Sequence, residues 1–168
     1  MLYFTILDYL YISNNLQMSN STLIRNYSHS DKDSVLKLVQ QNTPKYFAES
    51  EENDLENYLK NEIDLYCVIE FDGKIVGSGG INFDDSMTIA ILSWDVIDPE
   101  FQGKSFGSQL LNYRMEQINK IPSVQKIIVR TSQLTYEFYE KQGFKTVEIH
   151  KDYWASGFDM YFMLYHKK

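Results

Sequence analysis

The stretch Asp98-Pro99-Glu100-Phe101-Gln102-Gly103-Lys104-Ser105-Phe106-Gly107-Ser108 limits what this chain can fold into, because it joins an apolar run to an amphipathic one. Upstream, Ile89 to Ile97 is rich in β-branched and large apolar residues, the composition of a buried strand. Asp98-Pro99 then closes the ladder, since proline has no backbone donor. Downstream, Leu110, Leu111, Met115 and Ile118 recur at helical spacing. Gly103 and Gly107 allow a tight turn and a close approach of backbone to ligand. The free N–H groups of the new helix then face an anion, and the stretch reads as a phosphate cradle.

The letters Gly103-Lys104-Ser105 also suggest a nucleotide-binding P-loop, but that motif requires a glycine where this chain has Asp98. A carboxylate beside phosphates repels them, which excludes it. An ordinary strand-to-helix loop with two glycines shares the local features, so the loop alone leaves the choice open.

Gln102-Gly103-Lys104-Ser105-Phe106-Gly107, preceded by Ile97-Asp98-Pro99, resembles the acyl-CoA pyrophosphate loop of the GNAT N-acetyltransferase superfamily, Arg/Gln-x-x-Gly-x-Gly/Ala. A second segment follows in order: Phe138-Tyr139-Glu140-Lys141-Gln142-Gly143-Phe144 is similar to the Tyr-x-x-x-Gly-Phe ending of that family's later helix. The resemblance runs from Ser21 to the C-terminus and departs from the pattern at Ser105, which stands at the first glycine of the loop. It implies a GNAT-like acyl-CoA N-acyltransferase fold of the mixed α/β class, a mostly antiparallel sheet with helices on both faces. The implied activity is acetyl-CoA-dependent N-acetyl transfer to a primary amine by direct attack in a ternary complex. The alternative is a non-catalytic acyl-CoA-binding or regulatory module, which would keep the cradle and lose turnover.

A chain of 168 residues suits one domain that buries about two thirds of its unfolded surface. Hydrophobic content of 43%, with 15% aromatic, belongs to a globular protein. A formal charge of −7 disfavours nucleic acid and anionic membranes, which reward clustered Lys and Arg, and favours cationic acceptors such as small-molecule or peptide amines. One cysteine forms no internal disulfide; Cys67, inside the apolar run Leu65 to Ile69, is expected to pack in a reducing, cytoplasmic compartment. A second copy of the chain is a candidate partner. His29, His150 and His166 are scattered without metal-ligand spacing, and no metal is expected.

Leu2 to Ile12 is apolar and aromatic but is interrupted by Asp8, is too short to span a membrane and lacks the flanks of a signal peptide. Because Met18 precedes Ser21-Thr22-Leu23-Ile24-Arg25, which resembles the family's first strand, residues 1–20 are read as an extension and 21–168 as the domain. Ser30 and Asp33 have capping-box spacing before a helix whose apolar face is Val35, Leu36, Leu38 and Val39. A second helix starts near Ser50. Asp72-Gly73 marks a hairpin between Leu65–Phe71 and Lys74–Phe83. A crossover then runs from the Ile89–Ile97 strand through helix Phe106–Lys120 to a parallel strand, Val124–Arg130. Ser132–Gln142 reads as a helix stopped by Gly143, and Phe144–His150 and Phe158–Tyr165 as a closing pair. The intervening Lys151–Gly157 loop either closes over the acceptor or packs its aromatics.

Ligands of such sheets bind beyond the strand carboxyl ends where neighbouring strands part, here between Ile89–Ile97 and Val124–Arg130. The resemblance implies pantetheine paired with backbone near Val96 and Ile97, and pyrophosphate on amides of Gly103, Lys104, Ser105, Phe106, Gly107 and Ser108. Gln102, the Lys104 side chain and Ser132 complete the expected cofactor contacts. It also places Tyr46, Phe47 and Glu49 at the acceptor. Asp95 shares strand parity with Ile97, so it is either a base for the amine or a structural acceptor or substrate anchor. Tyr139 takes the family's general-acid position for the departing thiolate. Helical geometry turns Phe138 about 100° from it, as the expected core contact, leaving Tyr139 free to reach the gap.

Overall fold

Asp72 and Gly73 both have positive φ, 51° and 76°, the backbone that a two-residue hairpin turn demands. They join β2 (Leu65–Phe71) to β3 (Lys74–Phe83). The computed structural model describes residues 21–167, so the expected extension at 1–20 lies outside the described residues. The other strands are β1 (Thr22–Asn26), β4 (Ile89–Ile97), β5 (Lys126–Ser132), β6 (Lys145–Ala155) and β7 (Phe158–His166). They form one sheet in the order β1-β2-β3-β4-β5-β7-β6, antiparallel everywhere except between β4 and β5.

Four α-helices among the described residues cover the sheet. On one face, α1 (Lys32–Asn42) and α2 (Glu51–Asn61) bury Val35, Leu38, Val39, Leu55 and Tyr58 against Tyr66, Val68 and Val96. On the other, α3 (Phe106–Asn119) and α4 (Tyr136–Lys141) bury Leu111, Ile118 and Tyr139 against Leu92, Ile127, Val129 and Met163. The architecture is the mixed α/β sheet expected from the sequence. No described helix is long and apolar enough to cross a membrane.

Several boundaries differ from expectation for local reasons. The box at the first helix forms at Ser28 and Asp31 rather than Ser30 and Asp33: the Ser28 amide donates to Asp31 (2.8 Å), and Arg25 draws that carboxylate inward. β5 starts at Lys126, because Val124, though buried, sits in a turn with its amide on Ile121 O. Ser132 ends β5 instead of opening a helix, and the Thr135 amide on Ser132 O holds the intervening turn. The Lys151–Gly157 loop is also corrected. β6 continues to Ala155, because Asp159 of β7 holds Lys151 and the Asp152 amide, and only Ser156-Gly157 turns.

Candidate active site

β4 is bulged. Ser93 faces Gly80 and Val96 faces Ser78, so two residues, Trp94 and Asp95, oppose Gly79 alone, and Trp94 takes φ 52°. The extra residue exchanges the faces of the strand. Ala90 and Leu92 pack beneath α3, whereas Val96, an even number of residues onward, packs beneath α1 and α2. Asp95 and Ile97 therefore both face α3. A bulge strands backbone carbonyls, and side chains answer them here: Tyr66 Oη donates to Trp94 O (3.3 Å), Cys67 Sγ to Gly79 O (3.2 Å) and Arg114 Nη1 to Gly80 O (3.1 Å).

The bulge coincides with the parting of two strands. β4 pairs with β5 from Ile89 to Leu92, against Lys126 to Val129; beyond these rungs β4 runs on to Ile97 and β5 to Ser132 separately. The Asp98 amide bonds back to Val76 O (2.9 Å), so ladder alternation turns the Ile97 amide away from β3, toward the gap. The Ile97 carbonyl is engaged by Asn42 Nδ2 (3.0 Å) and Gln102 Nε2 (3.2 Å), and Gln102 Nε2 also reaches Asn42 Oδ1 (2.9 Å). Gln102 thus braces the end of β4. Asn42 escaped sequence reasoning: a polar residue at a helix end has many ordinary explanations, and only the fold brings it to Ile97.

Asp98, fully buried, accepts from Lys74 Nζ (2.7 Å) and from the Glu100 amide (3.0 Å), fixing the turn that carries the chain out of the sheet. Gly103 and Ser105 follow at φ 72° and 66°. The tight turn thus rests on Gly103 and Ser105 rather than on Gly107, which lies inside α3 near Phe138 and Ile97. Left-handed residues so placed turn successive N–H groups outward into an anion-binding concavity. The Gln109 amide is the first to bond back, to Ser105 O (3.0 Å), and the Ser105 hydroxyl caps none of the preceding amides. The N–H groups of Phe106, Gly107 and Ser108 precede the helical ladder. Phe106 buries its ring against Phe71 and Phe101, while Lys104 Nζ lies over the Phe101 ring at 5.1 Å.

Asp95 and Tyr139 meet. The Tyr139 hydroxyl donates to Asp95 Oδ2, and both Asp95 oxygens also receive the Arg114 guanidinium, at 2.7 Å for Nη2. Tyr139 is buried and Phe138 only half-buried, the reverse of the expected phase. The aromatic cluster with Phe144 draws the Tyr139 ring inward, and its hydroxyl finds Asp95 there. Burial and then Asp95 push the Tyr139 phenol well above its ordinary value. Burial opposes the charge on Arg114, and Asp95 more than offsets it, so the guanidinium stays firmly protonated. Arg114 was missed, although it stands on the stripe of Leu110, Leu111 and Ile118, where a charge is a legible anomaly.

On the opposite face, Phe47 of the α1–α2 connection stacks on Trp94 (6.4 Å, 15°), which also packs on Tyr58. Tyr46 instead faces Lys45, and Glu49 stands exposed in the same connection. Ser132, at the end of β5, holds the following turn through its hydroxyl and the Leu134 amide (3.3 Å).

A family model described as "Acetyltransferase (GNAT) domain" matches residues 62–146, half of the chain. An N-alpha-acetyltransferase of Sulfurisphaera tokodaii is 27% identical over 158 residues, covering 83% of this chain and 90% of that protein. Among solved structures, an aminoglycoside 6'-N-acetyltransferase complexed with coenzyme A superposes with a TM-score of 0.71 at 17% identity, covering 86% of this chain and 96% of the other. The ribosomal-protein-S18-alanine N-acetyltransferase from Escherichia coli gives a TM-score of 0.72 at 19% identity, covering 87% and 94%. At such identities the structural likeness concerns the fold.

Proposed function

The chain belongs to the GNAT acetyltransferases, and on that premise we propose that it moves the acetyl group of acetyl-CoA directly to a primary amine in a ternary complex. The observation that carries this reading is the parting of β4 and β5 at the bulge, with the cradle of residues 103–108 at its mouth. Pantetheine lies in the parting beside Val96 and Ile97, and the pyrophosphate meets the outward amides. The amine nitrogen attacks the thioester carbonyl carbon, the carbon–sulfur bond breaks, and an amide and a thiol result. The Ile97 amide donates to the carbonyl oxygen as charge develops there. Tyr139, whose O–H donates to Asp95 at rest, turns that O–H toward the departing thiolate and protonates it, and the proton released by the amine passes through water to restore the phenol. Asp95 serves as the anchor of Tyr139 rather than as the amine's base, because both its oxygens are already engaged.

Phe47 and Trp94 flank the acceptor from the other face. The name of the Sulfurisphaera relative puts a peptide α-amino group first among acceptors to try. Titration calorimetry of acetyl-CoA against ATP, followed by thiol release across peptides with free N-termini, an aminoglycoside and a diamine, tests the reading. Acetyl-CoA binding with amine-dependent thiol release is expected. Binding without release from any amine favours a non-catalytic acyl-CoA module, and binding of ATP alone overturns both.

A further inference from the structure

Arg114 is 1% exposed, the largest fully buried side chain among the described residues, and it lies in an apolar helix stripe. Three elements make an unfavourable local choice around it. α3 buries a cation. β3 supplies glycine in mid-strand, where a Cβ at position 79 would stand 2.6 Å from Asp95 Oδ1 and 2.8 Å from Arg114 Nη1. β4 holds a tryptophan at positive φ immediately before Asp95. All three converge on one carboxylate, and local rules broken together mark a site selected for function.

We propose that Arg114 is a positioning residue for acetyl transfer: by gripping both oxygens of Asp95 it fixes the acceptor that orients the Tyr139 hydroxyl. The inference rests on the reading of Tyr139 as the acid for the thiolate. A carboxylate held on two guanidinium N–H groups cannot rotate, so the phenol has one bonded direction and a defined starting point for its turn toward sulfur. The cation also balances the charge of Asp95, which would otherwise strengthen the phenol's hold on its proton. Cys67 of β2, on the same face, and Tyr66 of β2 and Tyr58 of α2, on the other, lie within electrostatic reach of this carboxylate as neutral groups, so Arg114 is the cation that supplies this balance.

Steady-state thiol release, using the panel amine that reacts fastest, tests the proposal in Arg114→Gln, Arg114→Lys, Tyr139→Phe and the Arg114→Gln/Tyr139→Phe pair. Arg114→Gln is expected to lower kcat by roughly 10- to 100-fold, the range for a misplaced catalytic group, with KM for acetyl-CoA within about twofold. Arg114→Lys recovers only part of the rate, since an ammonium cannot grip both oxygens. In the Tyr139→Phe background, Arg114→Gln costs less than about threefold, because one group acts through the other. Gly79→Ala crowds the pair while leaving both charges in place; it is expected to repeat this pattern even if Arg114→Gln fails to fold. Wild-type kcat in both Arg114→Gln and Gly79→Ala, or effects that multiply independently with a slow Tyr139→Phe, overturn the positioning role alone. Unchanged kcat in Tyr139→Phe overturns the acid assignment beneath it.

Discussion

Ser105 stands at φ 66° and ψ 4°, in the left-handed region that costs an L side chain about 1–2 kcal/mol. The family pattern has glycine at this point, and in the proposed site amides rather than side chains meet the anion, so a serine here leaves the cradle in place. Ser105→Gly removes the strain but adds unfolded-state freedom worth about 0.5–1 kcal/mol, leaving a net gain of about 0.5–1 kcal/mol. A rise in Tm of about 1–3 °C and acetyl-CoA binding tightened several-fold at most are expected. No binding by either protein would remove the cradle. At Tyr139, replacement by Phe keeps the buried ring and deletes the proton. Turnover should fall by roughly 100-fold, the low end for losing a positioned acid, with acetyl-CoA affinity little changed. The comparison requires an assay in which chemistry limits the rate.

At the scale of elements, β4, the loop after it and α3 were legible because each had a strong local signal: an apolar run, Asp98-Pro99, and an apolar stripe at helical spacing. The bulge was not. Nothing about the residue type at Trp94 announces positive φ; it is imposed by tertiary bonds from Tyr66, Cys67 and Arg114. The six-residue α4 is too short for periodicity to fix its phase, hence the exchange of Phe138 and Tyr139. Asp95 and Tyr139 were found separately, but their contact and the third member, Arg114, required the fold. β3 shows how narrowly these elements fit: a Cβ on Gly80 would collide with the Tyr58 hydroxyl and stand 2.9 Å from the Tyr66 ring. Gly80→Ala should therefore cost about 1–3 kcal/mol, as overpacking does, seen as a lower urea midpoint at unchanged slope. A midpoint equal to that of the parent would mean that α2 yields freely to β3.

Across the whole molecule, Tyr58, Tyr66 and Tyr139 have phenols raised by burial, and burial pushes the Cys67 thiol up to about 11. In the unfolded chain these groups ionise near pH 10 and 8.5, so their contribution to stability is complete below about pH 8.5. Above it the unfolded chain sheds protons that the native state keeps. Each phenol should then remove about 1.4 kcal/mol per pH unit above about pH 10, until its own folded value is reached. Asp31, held low by Arg25, acts at the other end: its contribution is present above about pH 4 and fades as acid reaches its folded value. Urea midpoints measured across alkaline pH, beside phenolate absorbance, check the sign; a flat profile to pH 11 would mean that the three tyrosines ionise as they do in water. The parting of the sheet also has a mechanical meaning. β1 to β4 form one plate and β5, β7 and β6 another, and the four residue pairs from Ile89–Lys126 to Leu92–Val129 are the seam that joins them. With pantetheine in the place proposed for it, the cofactor would span the unstitched length between those plates, so that reactant and scaffold would hold each other in register.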